Sequence, residues 1–228
     1  MTNRYFTQET LRFLNDLAAN NNRDWFGSHK EQYETTIRTP ALNFITDMAD
    51  ELALISPHFL AVPKKVGGSL MRVYRDTRFG KDKRPYKTNI GIQFRHEMGK
   101  DVHAPGYYLH VESEECFVGV GIWRPDATAL GKIRDAIVEN SAGWLAVSGN
   151  KAFRKTFTLS GDSLINAPRG YAKDHPLLED LKRKDFIALS EVSIERITSP
   201  RLKSLVTDKF NTATPYMQFL CKALELRF

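Results

Sequence analysis

Residues 72–87, RVYRDTRFGKDKRPYK, hold seven bases (Arg72, Arg75, Arg78, Lys81, Lys83, Arg84 and Lys87) against two acids, Asp76 and Asp82. That is a net +5 in sixteen residues, in a chain whose total is +6. Fixed guanidinium and ammonium groups at this density raise the local concentration of phosphate or carboxylate. Arginine grips such anions through paired hydrogen bonds, and lysine acts as a mobile point charge. Tyr74, Phe79 and Tyr86 stand among the cations and offer faces on which a ring can stack. The plainer alternative is a solvated loop whose Asp76 and Asp82 pair with their neighbours.

Other chemistry-bearing residues are sparser. His110 is the best-placed proton carrier, because its ordinary pKa suits transfer near neutrality, with Asp76 as a second candidate. Asn21-Asn22-Arg23-Asp24-Trp25-Phe26, with His29, Lys30 and Tyr33, suits either a ligand contact or a helix cap with an aromatic anchor. His96, Glu97, Asp101 and His103 lack the spacing of a helical zinc motif, so no metal site is expected. Gly119-Val120-Gly121 lacks a third glycine and sits inside a strand pattern, which excludes a Rossmann turn. Phosphate-loop and nucleophile-elbow motifs are absent, and the sequence names no cofactor.

The elements that must hold these residues follow from periodicity. Thr7 opens a helix carrying Leu11, Leu14 and Leu17, and Asn20 to Asn22 break it. A second helix is expected over 24–38. Thr39-Pro40 reads as the cap and first position of a third, with Leu42, Ile45, Met48 and Leu52 on one side. Strand-like alternation follows over 69–76, 88–95, 107–112 and 116–123, the last two joined as a hairpin. A helix is expected after Pro125-Asp126. Phe186 to Val192 reads as another strand, with further helices opening at Ser199-Pro200 and Thr214-Pro215.

Strand phase sorts the side chains into two faces. Met71, Val73, Ile90, Ile92, Leu109, Val111, Val118, Val120 and Ile122 make an apolar face for helices to cover. Arg72, Tyr74, Asp76, Asn89, Gly91, Gln93, Tyr108, His110, Glu112, Gly119, Gly121 and Trp123 make a polar, glycine-containing one. Glycine inside a strand often marks close approach by a ligand, so this face reads as a cleft rimmed by the basic segment. The rival reading is that the C-terminal helices pack over it. The expected architecture is a single α+β domain, an antiparallel sheet of about four to six strands with helices mainly on one face. A helical part (1–62) and a mixed helical part (126–228) flank the sheet (68–123).

With 228 residues, 42% hydrophobic and 26% charged, the chain has the composition of an ordinary globular protein. Two separated cysteines, Cys116 and Cys221, in apolar settings suit reduced thiols. No stretch approaches a membrane span and the N-terminus lacks a signal-peptide pattern, so a cytoplasmic protein without a membrane partner is expected.

The strings NNNRDWFGSHKEQYE, RVYRDTRFGKDKRPYKTNIG, PGYYLHVE and GVGIWRP, with Asp174-His175-Pro176 and Leu181 to Phe186 further on, resemble an uncharacterised family, domain of unknown function 2461. The resemblance implies one compact cytosolic α+β unit and no established activity. From the residues themselves the leading expectation is a phosphorylated or otherwise anionic small molecule, with or without catalysis. Arg72, Arg75, Arg78, Lys81, Lys83 and Lys87 would hold the anion, and Asp76 would orient an arginine. Tyr74, Tyr86 or Trp123 would contact an organic moiety. A nucleic-acid strand along the basic segment is the alternative partner, and a non-catalytic interaction protein using the same loop is the third.

Overall fold

The computed structural model describes residues 5–78, 81–99 and 104–228. Phe79, Gly80, Asp101 and His103 lie outside the described residues. Thr7 caps α1 (Gln8–Ala19) by accepting from the Glu9 N–H at 3.2 Å, while the Thr10 hydroxyl accepts from the Thr7 N–H at 3.1 Å. Asn20 ends this helix, and Asn22 caps α2 (Arg23–Ser28) by accepting from the Trp25 N–H at 2.9 Å.

Thr39-Pro40 does not open a new helix. The backbone stays helical through α3 (Lys30–Tyr33), a π-helical turn (Glu34–Arg38) and α4 (Thr39–Asp47), before α5 (Ala49–Ile55). Pro40 has no N–H to give the Thr36 carbonyl four residues back. That carbonyl instead accepts the buried Thr10 hydroxyl at 3.2 Å, so α1 satisfies the group that proline orphans.

Six strands form one antiparallel sheet: β1 (Phe59–Leu60), β2 (Ile90–His96), β3 (Gly106–Val111), β4 (Cys116–Ile122), β5 (Thr158–Ser160) and β6 (Phe186–Glu191). The spatial order is β1-β2-β3-β4-β6-β5. The expected strand over 69–76 is not continuous. Leu70 and Tyr74 make only isolated bridges, to Ile92 and Tyr86. Ser69 to Met71 lie along β2, with Met71 N–H on Gly91 O (2.9 Å) and Gln93 N–H on Ser69 O (2.8 Å). Beyond them the chain leaves β2 and pairs with its own return, Lys87 N–H on Val73 O at 2.7 Å and Arg75 N–H on Pro85 O at 2.8 Å.

After the sheet, Asp126 caps α6 (Ala127–Glu139), followed by α7 (Ser141–Ser148), α8 (Lys151–Thr156), α9 (Leu178–Leu181), α10 (Ile194–Ile197) and α11 (Leu202–Ala223). The helix after Ser199-Pro200 is α11. Thr214-Pro215 opens no second one, because α11 runs through Pro215. An interior proline costs about 3 kcal/mol. Burial of Phe210, Tyr216, Met217 and Leu220 offsets it at about 1.5–3 kcal/mol per side chain. Among the described residues, no helix is long and apolar enough to cross a membrane.

Along β2, β3 and β4 the two sheet faces divide as strand phase requires, but Met71, expected on the apolar face, lines the opposite one, because 69–76 does not run on as a regular strand beside β2. Ile92, Phe94, Tyr107, Leu109, Val111, Val118 and Val120 are buried on one face. There α11 covers them, its Phe210 ring 4.5 Å from Tyr107 and 5.9 Å from Phe94. The C-terminal helix therefore packs on the apolar face and leaves the other one open. Cys116 and Cys221 are buried free thiols.

Candidate functional site

The face away from α11 forms a cleft of about 500 Å³. Cross-strand register builds its floor in rows: Gly91, His110, Phe117 and Glu191; then Gln93, Tyr108, Gly119 and Leu189; then Arg95, Gly106, Gly121 and Ile187. Gly106, Gly119 and Gly121 leave bare backbone under the opening. Tyr108, His110 and Phe117 wall one part, and Trp123, Ile187 and Leu189 another, while Met71 and Lys87 close an edge. Two glycines are fixed by contact. A Cβ on Gly91 would lie 2.6 Å from the Tyr108 hydroxyl, and one on Gly121, at φ +111°, would lie 2.0 Å from the Phe186 carbonyl oxygen.

A polar chain crosses this floor. The Thr88 hydroxyl donates to Glu112 Oε1 at 2.7 Å, and Glu112 Oε2 lies 3.4 Å from His110 Nε2. His110 Nδ1 lies 3.2 Å from the Tyr108 hydroxyl and 3.5 Å from Asn89 Nδ2. The imidazole stacks on Phe117, with centroids 4.6 Å apart and planes 4° from parallel. A carboxylate beside Nε2 favours the tautomer with its proton there, which makes Nδ1 the acceptor of the Tyr108 proton. Burial, reinforced by the Glu112 charge, pushes the Tyr108 pKa up to about 12, so this phenol stays protonated at neutral pH.

The basic segment divides rather than converging on one point. Arg75 Nη1 pairs with Asp82 Oδ2 at 2.7 Å, and Arg84 Nη2 reaches the same oxygen at 2.7 Å. Arg78 grips Asp76 with two bonds of 3.0 and 2.7 Å, and Lys83 Nζ donates to the Thr77 carbonyl at 2.9 Å. Hydrogen bonds from Arg78 hold the Asp76 carboxyl well below the usual range, so it stays charged and is a poor proton carrier near neutrality. Lys81 is exposed, as is Tyr74. Tyr86 is buried, stacked on Phe26 at 4.1 Å. Trp123 is half exposed at the cleft, with the Arg124 guanidinium 4.7 Å over its ring.

Arg72 and Lys87 have a different destination. With Lys65 and Arg95 they line a groove of about 300 Å³ beside Gly67, Gly68, Leu70 and Met71, and no carboxylate is among its lining residues. Arg95 also donates to Gln93 Oε1 at 3.2 Å. The groove and the cleft share Met71 and Lys87, so a basic compartment opens beside an apolar, aromatic one. Burial, then the nearby Arg72 and Arg75 charges, lower the Lys87 pKa. Sequence reasoning missed Lys65 and Arg95. The usable signal for Arg95 was strand phase, which puts it on the Gln93 face.

The asparagine-aromatic patch is structural. Asn21 bonds the Tyr86 backbone in both directions, each at 3.0 Å, and Trp25 stacks on His29 at 4.1 Å. Among the described residues, no three His, Cys, Asp or Glu side chains gather to hold a metal ion.

Neither a curated protein nor a solved structure matches the chain. A family described as conserved hypothetical protein (DUF2461) matches residues 9–219, and that range takes in all but the first residue of α1, the whole sheet and all but the last residues of α11. The chain belongs to the DUF2461 family.

Proposed function

We propose that the chain acts as a single cytoplasmic α+β domain that binds a small molecule with a planar, largely apolar body and a phosphate or carboxylate group. The observation that carries this is the sharing of Met71 and Lys87 by an aromatic cleft and a carboxylate-free basic groove. Volumes of about 500 and 300 Å³ suit small-molecule recognition by an apolar pocket with a few placed polar groups. The planar body lies over the glycine floor against Tyr108, Phe117 and Trp123. The anion enters between Lys65, Arg72 and Lys87. Tyr108 and His110 supply a proton donor and an acceptor inside the cleft, which gives the site acid–base chemistry.

A screen of ring-bearing phosphates and carboxylates by thermal shift tests the reading. At least one compound is expected to stabilise the wild type and to lose that effect in Arg72→Ala and in Gly119→Leu, which fills the cleft. Equal stabilisation of all three proteins, or none of any, overturns it. Exposed Tyr74 and Lys81 on the basic hairpin favour a second reading, a single nucleic-acid strand. Oligonucleotide affinity falling steeply with salt, insensitive to Gly119→Leu, would select that occupant instead.

A further inference from the structure

Lys87 is unlike the other anchored lysines. Lys83 donates to a carbonyl, Lys209 donates to the Ser190 hydroxyl, Lys182 pairs with Glu179 at 2.7 Å, Lys203 pairs with Glu51 at 2.9 Å, and Lys132 pairs with Glu225. Among the described residues, nothing accepts a hydrogen bond from the Lys87 ammonium, although the side chain is about half buried. Its charged neighbours are Arg72 and Arg75, both cations. Its side chain stands where the basic groove meets the aromatic cleft. A structural lysine in such a place would be expected to have an acceptor. A lysine kept for its lone pair is better without one.

We infer that Lys87 is a nucleophilic amine that condenses with an aldehyde or ketone bearing a phosphate or carboxylate, holding it as an imine across the cleft and groove. This rests on the binding reading above and names its ligand class. Burial and the two guanidinium groups lower the ammonium's pKa and enlarge the share of neutral amine. The Nζ lone pair attacks the carbonyl carbon, the C=O electron pair moves to oxygen, and one of the two Nζ protons passes to that oxygen, giving a neutral carbinolamine. Its hydroxyl leaves as water on taking the Tyr108 proton, and the second Nζ proton returns to the Tyr108 oxygen, leaving C=N and one water. His110, held by Glu112, orients the Tyr108 hydroxyl through Nδ1. Arg72 holds the anionic group.

Pyridoxal 5′-phosphate is a suitable probe, because it joins a planar ring, an aldehyde and a phosphate. The protein is treated with one equivalent, reduced with borohydride and mapped by peptide mass spectrometry. Lys87 is expected to carry the reduced adduct ahead of exposed Lys81, and excess 4-nitrophenyl phosphate should protect it. Lys87→Arg, which keeps the charge and the fold, loses the adduct while its thermal unfolding stays cooperative. Labelling spread over surface lysines, with Lys87 modified no faster than Lys81, overturns the inference. Pyridoxine 5′-phosphate, which has no carbonyl, separates the two possible failures. If it binds the wild type but not Gly119→Leu while Lys87 stays unmodified, the imine falls and the binding site stands. If it does not bind and Lys87 stays unmodified, both fall.

Discussion

Gly121 lines the cleft and Gly91 lies beside it on the same sheet face; both are contact-limited, yet their alanine variants should behave in opposite ways. At Gly121 the backbone sits at φ +111°, which costs an L-residue about 1–2 kcal/mol. The new Cβ would lie 2.0 Å from the Phe186 carbonyl oxygen and 3.2 Å from Ile187 Cα. Both are backbone atoms of β6, hydrogen-bonded to β4, and no rotamer can move them aside. Ordinary C···O contact is about 3.3 Å, so the two strands must part by roughly 1 Å. A ladder hydrogen bond broken there adds about 1–3 kcal/mol. The expected cost is about 2–5 kcal/mol, a fall in Tm of roughly 4–20 °C for a chain of this size.

At Gly91 the obstacles are the Tyr108 hydroxyl at 2.6 Å and Met71 Sδ at 3.0 Å, both at the free ends of side chains. Gly91→Ala should cost under about 1 kcal/mol. It should nevertheless displace the Tyr108 hydroxyl from His110 and abolish the thermal shift given by any cleft ligand. Thermal unfolding followed by circular dichroism, with and without ligand, reads both effects. A Gly121→Ala protein melting within about 3 °C of the wild type, equivalent to roughly 1 kcal/mol, would refute the β4–β6 contact.

Other variants probe separate features. Gly131 lies inside α6 with nothing within 4 Å of a built Cβ, so Gly131→Ala should stabilise by about 0.5–1 kcal/mol in urea unfolding. Asp185 is buried and accepts from the Arg124 N–H at 2.7 Å and the Asp162 N–H at 2.9 Å. Asp185→Ala strands both donors and should cost about 2–4 kcal/mol, with altered Trp123 fluorescence, in the same urea titration. Arg72→Ala should weaken an anionic ligand about tenfold by calorimetry, the loss of roughly 1.4 kcal/mol. Arg78→Ala, whose guanidinium is already bound to Asp76, should leave that affinity unchanged. The Tyr108 pKa is raised from 10.0 to about 12, so the stabilisation from its neutral form is whole below pH 10 and is lost as pH climbs towards 12. Phenolate absorbance of the wild type minus Tyr108→Phe should show one tyrosine titrating near 12.

Period-two alternation was enough to place β2, β3 and β4 and to sort their faces, because a half-buried strand has no other way to bury Ile92, Leu109 and Val118 together. The two proline positions misled for a local reason. Thr-Pro is a good helix opening by itself, but Thr10 satisfies the carbonyl Pro40 leaves, and buried contacts carry α11 past Pro215. The charges of the basic segment were legible and their pairing was not. Asp76-Thr77-Arg78 and Asp82-Lys83-Arg84 each form a turn in which the aspartate accepts the arginine's own N–H, at 3.2 and 3.0 Å. That turn brings the guanidinium back onto the same carboxylate. The repeated Asp-x-Arg spacing was the available sign. The basic groove was harder to see, since Lys65 and Arg95 lie thirty residues apart in sequence and meet only through the segment laid along β2.

The pair of hydrogen bonds between Asn21 and the Tyr86 backbone joins the N-terminal helices to the residue that directly precedes Lys87. Whatever seats itself against that lysine is thereby coupled to the docking of a helical layer far off in sequence. Occupancy should slow proteolytic nicking of the α1–α2 connection, and a cut there should loosen the grip on the guest by the same free energy.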